Sequence, residues 1–157
     1  NMASTTQSPA QLVVAAMARL RQIGSESLES SLYRSEPIDC PAGSEDFINA
    51  GMVIRLPLDT SAAELLTLTQ GIEAEFGRQR GVERNQARTL DVDIISYGHL
   101  VLESKKLTLP HPRAAQRKFV LLPLAEICPE LILPGQAASI SKLLASLPAG
   151  EQVRRLV

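Results

Sequence analysis

The hydrophobic repeat of this chain switches from helical to two-residue spacing and back. That order limits the fold more than any single residue does. Ser8 and Pro9 read as an N-cap and a first helical position. Leu12, Ala15, Ala16, Arg19, Leu20 and Ile23 then form a helical stripe, with Gly24 as its stop. Residues 27–34 read as a strand, 35–46 as a loop carrying Pro37, Pro41 and Gly43, and 47–56 as a longer strand ending before Pro57. Capping residues at 59–61 precede a helix bearing Ala62, Leu65, Leu66, Leu68, Ile72 and Phe76, which Gly77 closes. Residues 78–89 are a polar, arginine-dense loop. Residues 90–97 alternate as a strand, and Gly98-His99 turns it so that 100–102 can return as a hairpin arm. A proline-bracketed loop at 108–112, a short helix starting near Pro123, and a last helix capped by Ser139 or Ser141 and running to Leu147 complete the pattern.

Helix, strand, strand, helix, strand becomes β-α-β-β-α-β when one strand is placed in front. The expected class is therefore α+β and ferredoxin-like, with a mostly antiparallel sheet and helices packed on it. At 157 residues, one domain spanning 1–157 is expected. A net charge of −1 provides no global field for nucleic acid or membrane, so neither is an expected partner and any anion site must be local. The two cysteines, Cys40 and Cys128, make no disulfide framework. With no membrane-length apolar run and no signal-peptide pattern, a reducing cytoplasm is the expected setting, and a monomer the expected state.

The chemistry concentrates at Leu90-Asp91-Val92-Asp93-Ile94. Residues two apart on a strand share a face, so Leu90, Val92 and Ile94 point inward while Asp91 and Asp93 point together the other way. Two adjacent carboxylates repel, and a hard divalent cation relieves that. Magnesium is commonly held by one or two carboxylates plus substrate phosphates. The plain alternative is a solvated acidic strand face. Immediately upstream lie Arg78, Arg80, Arg84 and Arg88, whose planar forks suit phosphate oxygens. A solvated basic loop is the alternative there. Together, the cation site and the basic loop supply both halves of a nucleotide-triphosphate site. No G-x-x-x-x-G-K-[ST] occurs, so this is not a P-loop, and no Cys/His cluster suggests zinc. His99 reads as a turn residue; His111, between Pro110 and Pro112, faces either a site or solvent.

Arg88-Thr89-Leu90-Asp91-Val92-Asp93-Ile94 resembles the R-T-L-D-[LIV]-D-[ILV] signature of hydroxymethyldihydropterin pyrophosphokinases. Tyr33-Arg34-Ser35-x-Pro37, Phe47-Ile48-Asn49-Ala50, Ile72-Glu73, Gly77-Arg78-x-Arg80, Leu107-Thr108-Leu109-Pro110-His111 and Arg117-x-Phe119-Val120-Leu121 resemble further family segments in the same order. Asn1 resembles the end of the family's G-S-N loop, and the strand that precedes that loop is missing from the sequence.

The resemblance implies an enzyme of folate synthesis with ATP as co-substrate and two magnesium ions. It would pass the β,γ-pyrophosphate of ATP to the hydroxymethyl oxygen of a dihydropterin. Asp91 and Asp93 would hold metal. Gln70, Glu73, Arg78, Arg88, Thr108, His111 and Arg117 would bind ATP, and Arg80, Arg84 and Arg88 would serve catalysis. Phe47 and Phe119 would sandwich the pterin, with Asn49, Ser35 and Ile38 on its polar edge. A flat heterocycle with polar edges wants two aromatic faces and an amide that both donates and accepts. The alternative is that both rings are core. Asn85 stands where many members carry tryptophan, and Glu36, Asp39 and Pro112 are further departures. A non-catalytic pterin- or nucleotide-binding relative and a metal-dependent phosphoesterase are the competing readings.

Overall fold

A computed structural model describes residues 7–37, 45–77 and 90–156. Among these residues, four α-helices accompany short strands, every pairing of which is antiparallel. Helix α1 (Pro9–Arg21) begins in a capping box: Ser8 Oγ accepts from the Gln11 N–H, and the Ser8 N–H donates to Gln11 Oε1 at 2.8 Å. Helix α2 (Ala62–Glu75) repeats the device with Ser61 and Glu64 and is closed by Gly77 at φ 89°. The expected helix boundaries follow from these caps. The α1 stop lies at Arg21, before Gly24, and Gly24 serves a different purpose. A Cβ on it would lie 2.4 Å from Ile54 Cγ2 and 2.6 Å from the Arg55 carbonyl, so the chain passes this strand only without a side chain.

Each expected long strand is broken in two. β1 (Glu26–Glu29) pairs with β4 (Met52–Arg55), whereas β2 (Tyr33–Ser35) pairs with β3 (Phe47–Asn49). The breaks at 30–32 and 50–51 face each other and are bridged by Ser30. Its N–H donates to the Gly51 carbonyl at 2.9 Å, and its hydroxyl accepts from the Gly51 N–H at 2.8 Å. The helix carrying Pro123 crosses there: a Cβ on Gly51 would sit 3.2 Å from Pro123 Cβ.

Helix α3 (Lys118–Ile127) starts five residues before the expected position and carries Pro123 in its interior. The proline forfeits one helical hydrogen bond, but Leu121, Pro123 and Leu124 are all buried, and that apolar face offsets the loss. Leu121 and Leu124 join Ala114, Leu133 and Ile140, the last from α4 (Ile140–Ser146, N-cap Ser139), in one core. Ala16 of α1, Ile72 of α2 and Leu90 form a second.

Residues 90–97 form no sheet ladder among the described residues, contrary to the strand expected there. Their alternation is nonetheless visible in burial: Leu90 is buried, Val92 half-buried, Asp91 and Asp93 exposed. The expected return arm also pairs differently. β5 (Leu102–Glu103) pairs forward with β6 (Thr108–Leu109), which occupies part of the expected loop. β7 (Val153–Arg155), which periodicity did not single out, adds to β2 with Ser35 opposite Val153.

Candidate active site

The exposed pair Asp91 and Asp93 is held from below by α2. Glu73 is 4% exposed, and its Oε1 accepts the Val92 N–H at 2.9 Å, at the residue between the two aspartates. A buried carboxylate needs such donors. Glu73 thus touches the backbone of the acidic segment. Leu66, one and two helical turns before Gln70 and Glu73 on the same helix, reaches a cavity of about 270 Å³. That cavity brings together Leu66, Val92, Asp93, Ile94, Lys106, Leu107, Thr108, His111 and Pro112. Of the expected nucleotide and metal residues, it gathers Asp93, Thr108 and His111.

Sequence reasoning missed Lys106 and Leu66. The Lys105-Lys106 pair just before β6 was a signal for a local cation, and the i, i+4, i+7 spacing of Leu66, Gln70 and Glu73 was a signal for a shared helix face. His111 is tied in by its N–H, which donates to the Ile95 carbonyl at 2.8 Å. Burial lowers the pKa of its imidazole, and the nearby Asp93 carboxylate opposes that shift only in part. The neutral ring is therefore favoured. Its Nδ1 accepts a long, 3.3 Å hydrogen bond from the Arg113 N–H, which leaves the ring proton on Nε2.

A second group lies on β2 and β3. The register sets Ser35 opposite Phe47 and Tyr33 opposite Asn49, and Asn49 Nδ2 donates to Ser35 Oγ at 2.9 Å. Ser35 is buried, while Phe47 is 48% exposed. Phe119 is half-buried in the first turn of α3, where the Arg117 guanidinium lies 5.3 Å from its ring centroid. Neither ring belongs to the buried core sets. α3 packs against β2 and β3, so both rings belong to packed elements. A further cavity of about 230 Å³ is lined by Ser35, Glu36, Pro37 and residues 150–153.

The expected Ile38, Arg78, Arg80, Arg84 and Arg88, like Cys40 and Asn85, lie outside the described residues. Among the described residues, no group of three or more His, Cys, Asp or Glu side chains is arranged to hold a metal. Two carboxylates suffice for magnesium when phosphates and water complete the shell. No helix among the described residues is long and apolar enough to cross a membrane.

Residues 1–129 match the sequence profile of the family described as 7,8-dihydro-6-hydroxymethylpterin-pyrophosphokinase (HPPK). A 2-amino-4-hydroxy-6-hydroxymethyldihydropteridine pyrophosphokinase of Synechocystis is 44% identical over 115 residues, covering 73% of this chain and 56% of that protein. The Haemophilus influenzae protein of the same name is 36% identical over 135 residues, covering 85% of this chain and 82% of its own length. A folic acid synthesis protein of Pneumocystis carinii is 37% identical over 115 residues, which make up 15% of its length. The chain thus belongs to the hydroxymethylpterin pyrophosphokinase family, ATP-dependent enzymes that transfer pyrophosphate to hydroxymethyldihydropterin in folate biosynthesis.

Proposed function

We propose that this chain catalyses that reaction itself, with the nucleotide in the cavity beside Asp93 and the pterin between β3 and α3. The observation that carries the reading is the convergence of Asp93, Lys106, Thr108 and His111 on one cavity. The hydroxymethyl oxygen of the pterin would attack the β-phosphorus of ATP. The bond from that phosphorus to the bridging oxygen of the α-phosphate would break, AMP would leave, and the hydroxyl proton would be lost. Asp91 and Asp93 would hold two magnesium ions, which when bound offset phosphate charge. Lys106 and Arg117, with Arg78, Arg80, Arg84 and Arg88 as the family resemblance implies, would face the phosphates. His111 would donate from Nε2 to a phosphate oxygen, and Thr108 and Gln70 would add hydrogen bonds. Glu73, placed with them by resemblance, would act through the Val92 N–H.

At the other end, Phe47 and Phe119 would cover the pterin faces. Asn49, oriented by Ser35, would meet its polar edge together with Ile38. The sheets would form parts of one ferredoxin-like plan, in a cytoplasmic monomer.

The test is AMP release from ATP, with and without the dihydropterin and with and without magnesium. Release that requires both supports the reading; metal-dependent hydrolysis indifferent to the pterin overturns it. Phe47→Ala and Phe119→Ala should each weaken pterin binding about tenfold, the scale of losing one stacking ring, and leave ATP binding little changed. A core role would instead lower the melting temperature and weaken both ligands alike.

A further inference from the structure

The family match ends at residue 129, yet the chain beyond it returns to the substrate end. β7 pairs with β2 beside Ser35, the Glu36 N–H donates to the Gln152 carbonyl at 3.3 Å, and residues 150–153 line the cavity that includes Ser35. From this segment Glu151 reaches across to α3. Its Oε2 accepts the Lys118 N–H at 2.7 Å, and its carbonyl accepts from Lys118 Nζ at 3.3 Å.

The contact meets a local need. The first N–H groups of a helix lack intrahelical partners. The N-cap of α3 is Arg117, which makes no side-chain cap hydrogen bond. Arginine has no acceptor with which to make one. Glu151 supplies the acceptor from a distant part of the chain, and its negative charge sits where the helix dipole favours it. Lys118 lies between Arg117 and Phe119, the cation–π pair at the start of α3.

We propose that Glu151 is a positioning residue for the substrate end: by holding the Lys118 N–H, it fixes the first turn of α3 and so aims Arg117 and Phe119. The inference rests on the assignment of those two side chains to phosphate and pterin.

The experiment measures dissociation constants for ATP and for the dihydropterin by calorimetry, well below the melting temperature, alongside steady-state kinetics. Glu151→Ala should raise both constants roughly fivefold, the scale of one lost helix cap. Turnover at saturation should stay within about twofold, since no reacting group is removed. Glu151→Gln keeps an acceptor and should restore both affinities. Lys118→Pro removes the same N–H at a position that suits proline and after an extended residue, so it should fold and reproduce the loss. Lys118→Ala keeps the N–H and should bind as the parent does.

Unchanged affinities in Glu151→Ala, or in Lys118→Pro should the alanine variant not fold, overturn the proposal. Phe119→Ala and Arg117→Ala are run in the same assay. If they weaken binding and Glu151→Ala does not, the brace fails while the assignment stands. If none of the three weakens binding, the assignment fails and the brace falls with it.

Discussion

Replacing Asp91 or Asp93 with alanine should lower turnover on the order of a hundredfold or more, the scale of losing one preorganised charge-stabilising group. Asp93 is exposed, so its variant should not melt much below the parent. Loss of activity without loss of fold is the signature sought. Titrating magnesium at fixed ATP should show each variant demanding more metal for its residual rate. Full turnover in both single variants would remove the metal assignment. The segment behind the pair matters as well, because the Val92 N–H is held by a nearly buried carboxylate on α2.

Removing the Glu126 carboxylate should cost roughly 2–3 kcal/mol of stability, because several donors would lose their acceptor together. Glu126 on α3 accepts from the Ser31 N–H and hydroxyl at 2.8 Å each and from the Tyr33 hydroxyl at 2.9 Å, and Arg155 of β7 lies at 3.1 Å. Tyr33 is 5% exposed, so its hydroxyl has little access to water. Burial alone would raise the Glu126 pKa. The Ser31 and Tyr33 hydrogen bonds and then the Arg155 charge outweigh it, and the group titrates below its ordinary value. A folded-state value below the unfolded one means that this stability is present above the ordinary glutamate range. It is lost as pH falls through the lowered value. Urea unfolding of the parent and of Glu126→Ala should therefore differ most near pH 7 and converge in acid. A gap that stays constant with pH would assign the effect to packing.

Where a local rule decides the outcome, the sequence read true. Ser8 and Ser61 capped their helices, Gly77 closed one, and the 90–94 alternation matched the order of burial. Where the outcome depended on a distant partner, it did not. Nothing within 27–34 or 47–56 announces that α3 passes at Gly51, where the second strand breaks, because that contact belongs to Pro123. Alternation at 90–97 says which side chains face inward, but a ladder needs a neighbouring strand that the segment cannot specify. The helix through Pro123 was misplaced because propensity was weighed without the burial of Leu121 and Leu124. At the candidate site, Asp93, Thr108 and His111, expected from the family resemblance, line one cavity. Lys106 was legible only as one cation among many until β6 brought it beside them.

The pairing of β7 with β2 has a consequence for synthesis on the ribosome. The lining of the cavity beside Asp93, from Leu66 to Pro112, emerges before any of β7 has been made. β2 meanwhile waits with its outer edge open, and Glu126 and Ser35 wait for neighbours made later. A nascent chain therefore passes through a stage in which the cavity beside Asp93 is covalently complete while the one beside Ser35 still lacks one wall. Since chains grow at roughly 5–20 residues per second, that stage lasts seconds. During it, an unpaired strand edge is open to any other extended chain nearby.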